Sequence, residues 1–85
     1  MEENKVYDVD FFNGCDWETQ KWSAEDMPAS VSALYASYGN IVAMECFCGT
    51  GAYSGTLEFY FTFVSGKRML YRTVFGNWDN GTLLV

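Results

Sequence analysis

With 85 residues, 49% of them hydrophobic and 19% aromatic, the chain has the size of a single domain (1–85) and lacks the polar, aromatic-poor profile of disorder. Its net charge of −6 argues against direct binding to nucleic acid or anionic lipid, both of which need clustered Lys and Arg, and favours a basic protein as partner. The absence of histidine removes Cys-His and Ser-His dyads, mixed Cys/His zinc sites and the usual general base near neutral pH, so neither enzymatic activity nor a cofactor is expected.

The charge is unevenly spread. Up to Glu45 nine acids stand against Lys5 and Lys21, a balance of −7; from Cys46 onward Glu58 and Asp79 stand against Lys67, Arg68 and Arg72, a balance of +1. The opening MEENKVYDVD is acidic and no run of about 18 apolar residues occurs, so neither a secretion signal nor a membrane span is expected, and the expected location is the cytoplasm. Three cysteines, Cys15, Cys46 and Cys48, fit reduced thiols better than the even count of a secreted disulfide framework.

KVYDVDFF alternates as a strand with one wet side. Asn13-Gly14 signals a hairpin, and DWETQKW returns as the second strand. A two-residue loop mixes acids into the apolar face, whereas a three-residue loop pairs Phe11 with Trp17 and Asp10 with Glu18. Burial of one face selects register, so the second is expected, with Asp8, Asp10, Asp16 and Glu18 together on an outer face. Met27, Val31, Leu34, Tyr35 and Tyr38 then make an apolar helix stripe, predicting a helix from about Pro28 to Tyr38, with Glu25 and Asp26 near its start.

IVAMECFC is a further strand, and GTGAYSG is a glycine-rich connection carrying Tyr53. TLEFYFTFV and RMLYRTVF form a hairpin around Ser65-Gly66; Asn80-Gly81 turns into a short terminal strand. A two-residue loop pairs Tyr60 with Tyr71 and Thr62 with Met69, opposite the Phe59, Phe61 and Phe63 side. The expected fold is α+β, a small antiparallel sheet of about five strands in ββαβββ order, with one helix packed on one face.

One helix cannot cover both faces of such a sheet. The face bearing Tyr60, Met69 and Tyr71 either curls inward or is buried by a second copy as a homodimer. The acidic set Asp8, Asp10, Asp16 and Glu18 is either a solvated face or a partner-binding surface. Side chains two apart on a strand lie roughly 6.6 Å apart, so rows of them could compete for a phosphate-binding surface. Glu25 and Asp26 would assist, with Trp17, Trp22 or Tyr53 as anchors; Tyr53 alternatively folds back on the sheet. No metal-binding motif is present, Cys46-x-Cys48 being too closely spaced for a zinc knuckle.

No motif assigns a family. In size, acidity and lack of catalytic groups, the chain resembles in general profile the small inhibitors that phages and mobile elements direct at host nucleases, anti-CRISPR proteins among them. The resemblance implies a non-enzymatic inhibitor of a host nucleic-acid-binding protein, acting in the host cytoplasm. A self-assembling β protein is the alternative.

Overall fold

A computed structural model describes residues 5–49 and 51–85, apart from the side chain of Tyr53. Among the described residues the elements are β1 (Tyr7–Phe12), β2 (Trp17–Trp22), α1 (Ala29–Tyr38), β3 (Ile41–Cys48), β4 (Thr56–Phe63), β5 (Arg68–Val74), β6 (Asn77–Trp78) and β7 (Thr82–Leu83). The sheet runs β2-β1-β3-β4-β5-β6, and β7 also pairs with β5. This is the α+β class, a sheet with one helix on one face. The sheet is mixed, however: β1 and β3 are parallel through Asp10–Glu45, Phe11–Cys46 and Phe12–Phe47. After β2 returns, α1 carries the chain back across the sheet, so β3 starts from the same end as β1 and runs in its direction.

Asn13 decides how the first hairpin closes. Its Oδ1 accepts from the N–H groups of Cys15 and Asp16, each at 2.9 Å, so the side chain organises the turn, while Gly14 takes a φ of 103°. The loop therefore takes four residues, Asn13 to Asp16, and the register differs by one from the expected one. Phe12 faces Trp17, Phe11 faces Glu18 and Asp10 faces Thr19. A slip of one residue exchanges the two faces of β2 relative to β1.

The Asn13 N–H donates to Asp16 O at 3.2 Å, which makes Phe12/Trp17, Asp10/Thr19 and Asp8/Lys21 non-hydrogen-bonded pairs, the positions where facing side chains come closest. All three make contact. The Phe12 and Trp17 rings lie 5.1 Å apart, Thr19 Oγ1 donates to Asp10 Oδ1 at 2.8 Å, and Lys21 pairs with Asp8.

Pro28 stands at the N-cap of α1, with φ −59°, where its missing N–H is no loss. Ser23 and Asp26 serve the 3-10 turn Ala24–Asp26 that precedes it, Asp26 Oδ2 accepting from the Ser23 N–H at 2.9 Å. The apolar stripe of the helix faces the sheet: Met27 and Val31 are buried, and Leu34 and Tyr38 pack against the core. Beneath it lie Val9, Cys46, Phe59, Phe61 and Phe63, each at most 2% exposed. Burying a phenylalanine side chain contributes about 1.5–3 kcal/mol, so alternate residues of β4 supply a large part of the core.

The second hairpin closes with Gly66 N–H to Phe63 O and Phe63 N–H to Lys67 O, both 2.9 Å, and a left-handed Gly66 at φ 92°. That is a three-residue loop built on a tight turn plus a glycine bulge. It sets Phe61 against Met69, Tyr60 against Leu70 and Phe59 against Tyr71. Met69 and Tyr71 thus join the phenylalanine side, 7% and 1% exposed. Tyr60 points to the other face, so the expected shared face of Tyr60, Met69 and Tyr71 does not exist.

The sheet ends differently at its two sides. β6 pairs with Thr73 and Val74 and β7 with Met69 and Leu70; between them the Asp79 N–H donates to Arg72 O, and the Arg72 N–H donates to Asp79 Oδ1, both at 2.9 Å. β5 is therefore covered along its outer edge. Among the described residues β2 pairs with β1 alone, and it is exposed from Trp17 to Lys21.

Candidate interaction surface

The registers place side chains on the helix-free face in rows that cross the strands. One row reads Trp17, Phe12, Phe47, Glu58, Arg72; the next reads Thr19, Asp10, Glu45, Tyr60, Leu70. In the first, Trp17 and Phe47 rings lie 5.6 Å apart, Phe12 and Phe47 6.1 Å apart, and Phe47 meets Tyr60 of the second row at 5.6 Å. Trp17 is 53% and Phe47 37% exposed. Four aromatic rings therefore form one connected patch that α1 does not cover.

Beside this patch stand two carboxylates. Asp10 and Glu45 are facing partners of the parallel β1/β3 pair, and among the described residues neither forms a salt bridge, whereas Asp8 is paired with Lys21 and Glu58 with Arg72, whose Nε donates at 3.0 Å. Arg68 lies with its guanidinium 5.7 Å from the Tyr60 ring centre. The face already holds one cation over an aromatic ring in its own structure. A depression of about 360 Å³ adjoins the row, lined by Phe47, Cys48, Gly49, Thr56, Glu58 and Arg72.

The expected acidic surface is rearranged. Asp8 and Asp10 do lie on the open face, but Asp16 belongs to the turn and Glu18, facing Phe11, projects on the helix side. The four carboxylates form no common row, and the expected Asp10–Glu18 facing pair is replaced by Asp10–Thr19. Trp17 is exposed as an anchor would be. Trp22 is half-buried instead, its ring 5.8 Å from Phe11, 5.2 Å from Phe59 and 6.4 Å from Trp78, and so closes the margin of the core. Glu25 and Asp26 are exposed on the 3-10 turn. The Tyr53 side chain lies outside the described residues.

Phe12, Phe47 and Glu45 were not singled out by sequence reasoning. Alternation in IVAMECFC separates Glu45 and Phe47 from Met44 and Cys46, but only the parallel pairing with β1 brings them beside Asp10 and Phe12. Among the described residues, no group of three or more His, Cys, Asp or Glu is placed to hold a metal ion, and no helix is long and apolar enough to cross a membrane. The Cys46 thiol is pushed up to about 12, first by burial and then by Cys48 beside it, which keeps it protonated and a poor nucleophile at neutral pH. Cys15 is exposed and Cys48 half-buried.

Chemically the patch suits a cationic side chain: ring faces attract a guanidinium or ammonium within about 6 Å, and adjacent carboxylates add charge-assisted hydrogen bonds. Set against protein-family models, curated proteins and solved structures, the chain matches none of them.

Proposed function

We propose that the chain is a non-enzymatic interaction protein that binds a basic protein through the open face of its sheet, and that this partner is a host nucleic-acid-binding protein or nuclease, which it inhibits in the cytoplasm. The observation that carries the reading is the aromatic row Trp17–Phe12–Phe47 set against the Asp10–Glu45 pair. An exposed aromatic patch rimmed by charge is what hot spots are made of. The net charge of −6 steers a basic partner toward it. Support for inhibition of a nucleic-acid-handling target comes from the small size, the acidity and the profile shared with phage-encoded inhibitors.

The test is a tagged pull-down from host lysate, washed at low and then high salt, with mass spectrometry of what elutes. A nucleic-acid-handling protein released by salt is expected. Trp17→Ala should abolish its capture, and Asp10→Asn with Glu45→Gln should weaken it and flatten its salt dependence. Capture unchanged by both variants overturns the assignment to this face. A second reading gives the same patch to another copy of the chain, favoured by the exposure of Trp17 and Phe47; self-association that ignores salt and is lost in Phe47→Glu would select it.

A further inference from the structure

β2 offers more than an exposed surface. In its ladder with β1 the pairs Phe12/Trp17, Asp10/Thr19 and Asp8/Lys21 exchange no backbone hydrogen bonds, as the Asn13 N–H to Asp16 O bond dictates. The N–H and C=O groups of Trp17, Thr19 and Lys21 therefore point away from the sheet. Six residues long and covered by nothing among the described residues, this edge is a template for another strand.

We propose that the strand it receives is β2 of a second copy, antiparallel, about a two-fold axis through Thr19. An axis perpendicular to the sheet keeps both helices on the same side, so each residue faces one of the same parity. In this register Thr19 faces Thr19, Trp17 faces Lys21 and Glu18 faces Gln20, and the groups that meet are the three outward-pointing pairs. The sequence WETQKW is self-complementary there. No like charges face each other, Lys21 comes beside the exposed Trp17 ring on the open face, and Glu18 meets a hydrogen-bond donor in Gln20. A register centred on Gln20 forfeits these matches, setting Glu18 against Trp22 and Thr19 against Lys21.

Joined in this way, the two open faces become one surface. The Asp10–Glu45 pairs of both copies fall on a single line through Thr19, the two Asp10 residues three strand spacings, roughly 14 Å, apart. The inference stands whether or not that surface binds a basic protein.

Sedimentation equilibrium of the full chain should show a mass rising toward twice that of one chain with concentration. A single-chain mass throughout overturns the proposal and leaves the edge to a foreign strand. Thr19→Pro deletes the outward N–H while sparing the ladder to β1; it should abolish the dimer and keep the far-UV spectrum, and a folded Thr19→Pro that still dimerises overturns it. For register, and should the proline variant not fold, Thr19→Cys in a Cys15→Ser background should cross-link under mild oxidation, because facing Cα atoms lie about 5.5 Å apart. Lys21→Cys in the same background should not, its copies lying roughly 13 Å apart. The opposite pattern overturns the register. Phe47→Glu, which disables the open face, should leave the dimer intact; its loss there would assign the contact to the face instead.

Discussion

Ser30 Oγ lies 2.8 Å from Tyr71 Oη, and this hydrogen bond fixes α1 laterally on β5. The two partners are unequal: Ser30 is exposed, whereas Tyr71 is 1% exposed with its ring edge-on to Phe61 at 5.4 Å. Tyr71→Phe keeps the ring and frees a serine that water can satisfy, so it should cost about 0.5–1.5 kcal/mol. Ser30→Ala strands a buried hydroxyl, a loss of about 1–3 kcal/mol, offset by roughly 0.5 kcal/mol of helix propensity. The smaller truncation is therefore expected to be at least as damaging as the larger residue's. Urea midpoints of the two single variants decide it, and a clearly milder Ser30→Ala would mean that the Tyr71 hydroxyl has another partner.

Gly39 ends α1 with φ 82° and ψ −166° and donates to Tyr35 O at 2.9 Å. That backbone region is open essentially to glycine alone, at about 1–3 kcal/mol for other residues. A Cβ there would also stand 2.5 Å from Val64 Cγ1. Gly39→Ala should thus lower the melting temperature by several degrees, about 4–8 °C per kcal/mol in a domain of this size. Val64, 66% exposed, can be shortened within about 0.5 kcal/mol, so adding Val64→Ala should restore the steric part of the loss and none of the backbone part.

Cys46 links stability to alkali. Its thiol is pushed from the ordinary 9.0 to about 12, chiefly by burial and further by Cys48, so the folded chain holds this proton more tightly than the unfolded chain. The associated stability is complete below about pH 9 and is lost as the pH rises toward 12. Urea midpoints should be flat through neutral pH and decline above about pH 9. Cys46→Ala, less stable at neutrality because it opens a cavity, should decline less steeply. Equal slopes in the two proteins would rule out this thiol as the cause.

What could be read in the sequence was what local chemistry decides. The helix stripe from Met27 to Tyr38, the alternation of Phe59, Phe61 and Phe63, and the turns at Asn13-Gly14 and Ser65-Gly66 all lie where expected. Both hairpin registers differ by one residue from those expected, for the same physical reason: each loop has one residue more than expected, four in place of three in the first and three in place of two in the second. In the first, the Asn13 side chain captures two backbone N–H groups; in the second, Gly66 adopts a left-handed bulge. Neither closure is fixed by the hydrophobic pattern, because DWETQKW and RMLYRTVF carry apolar groups on both faces. The parallel seating of β3 beside β1 depends on a crossover with no local signature, and with it went the aromatic patch.

Asp79 has a reach beyond its own turn. By bridging β6 and β7 across Arg72, it makes the molecule one-sided in the sense that matters for polymers. A filament grown by strand addition needs every unit to offer two sticky ends, as in the endless ladders of amyloid. Among the described residues this chain has one long open edge, β2, the opposite margin carrying only the two-residue strands β6 and β7, and two copies joined at β2 cancel each other's. In the proposed pair growth would halt there, so an exposed strand could persist in a chain rich in aromatic side chains without seeding fibres.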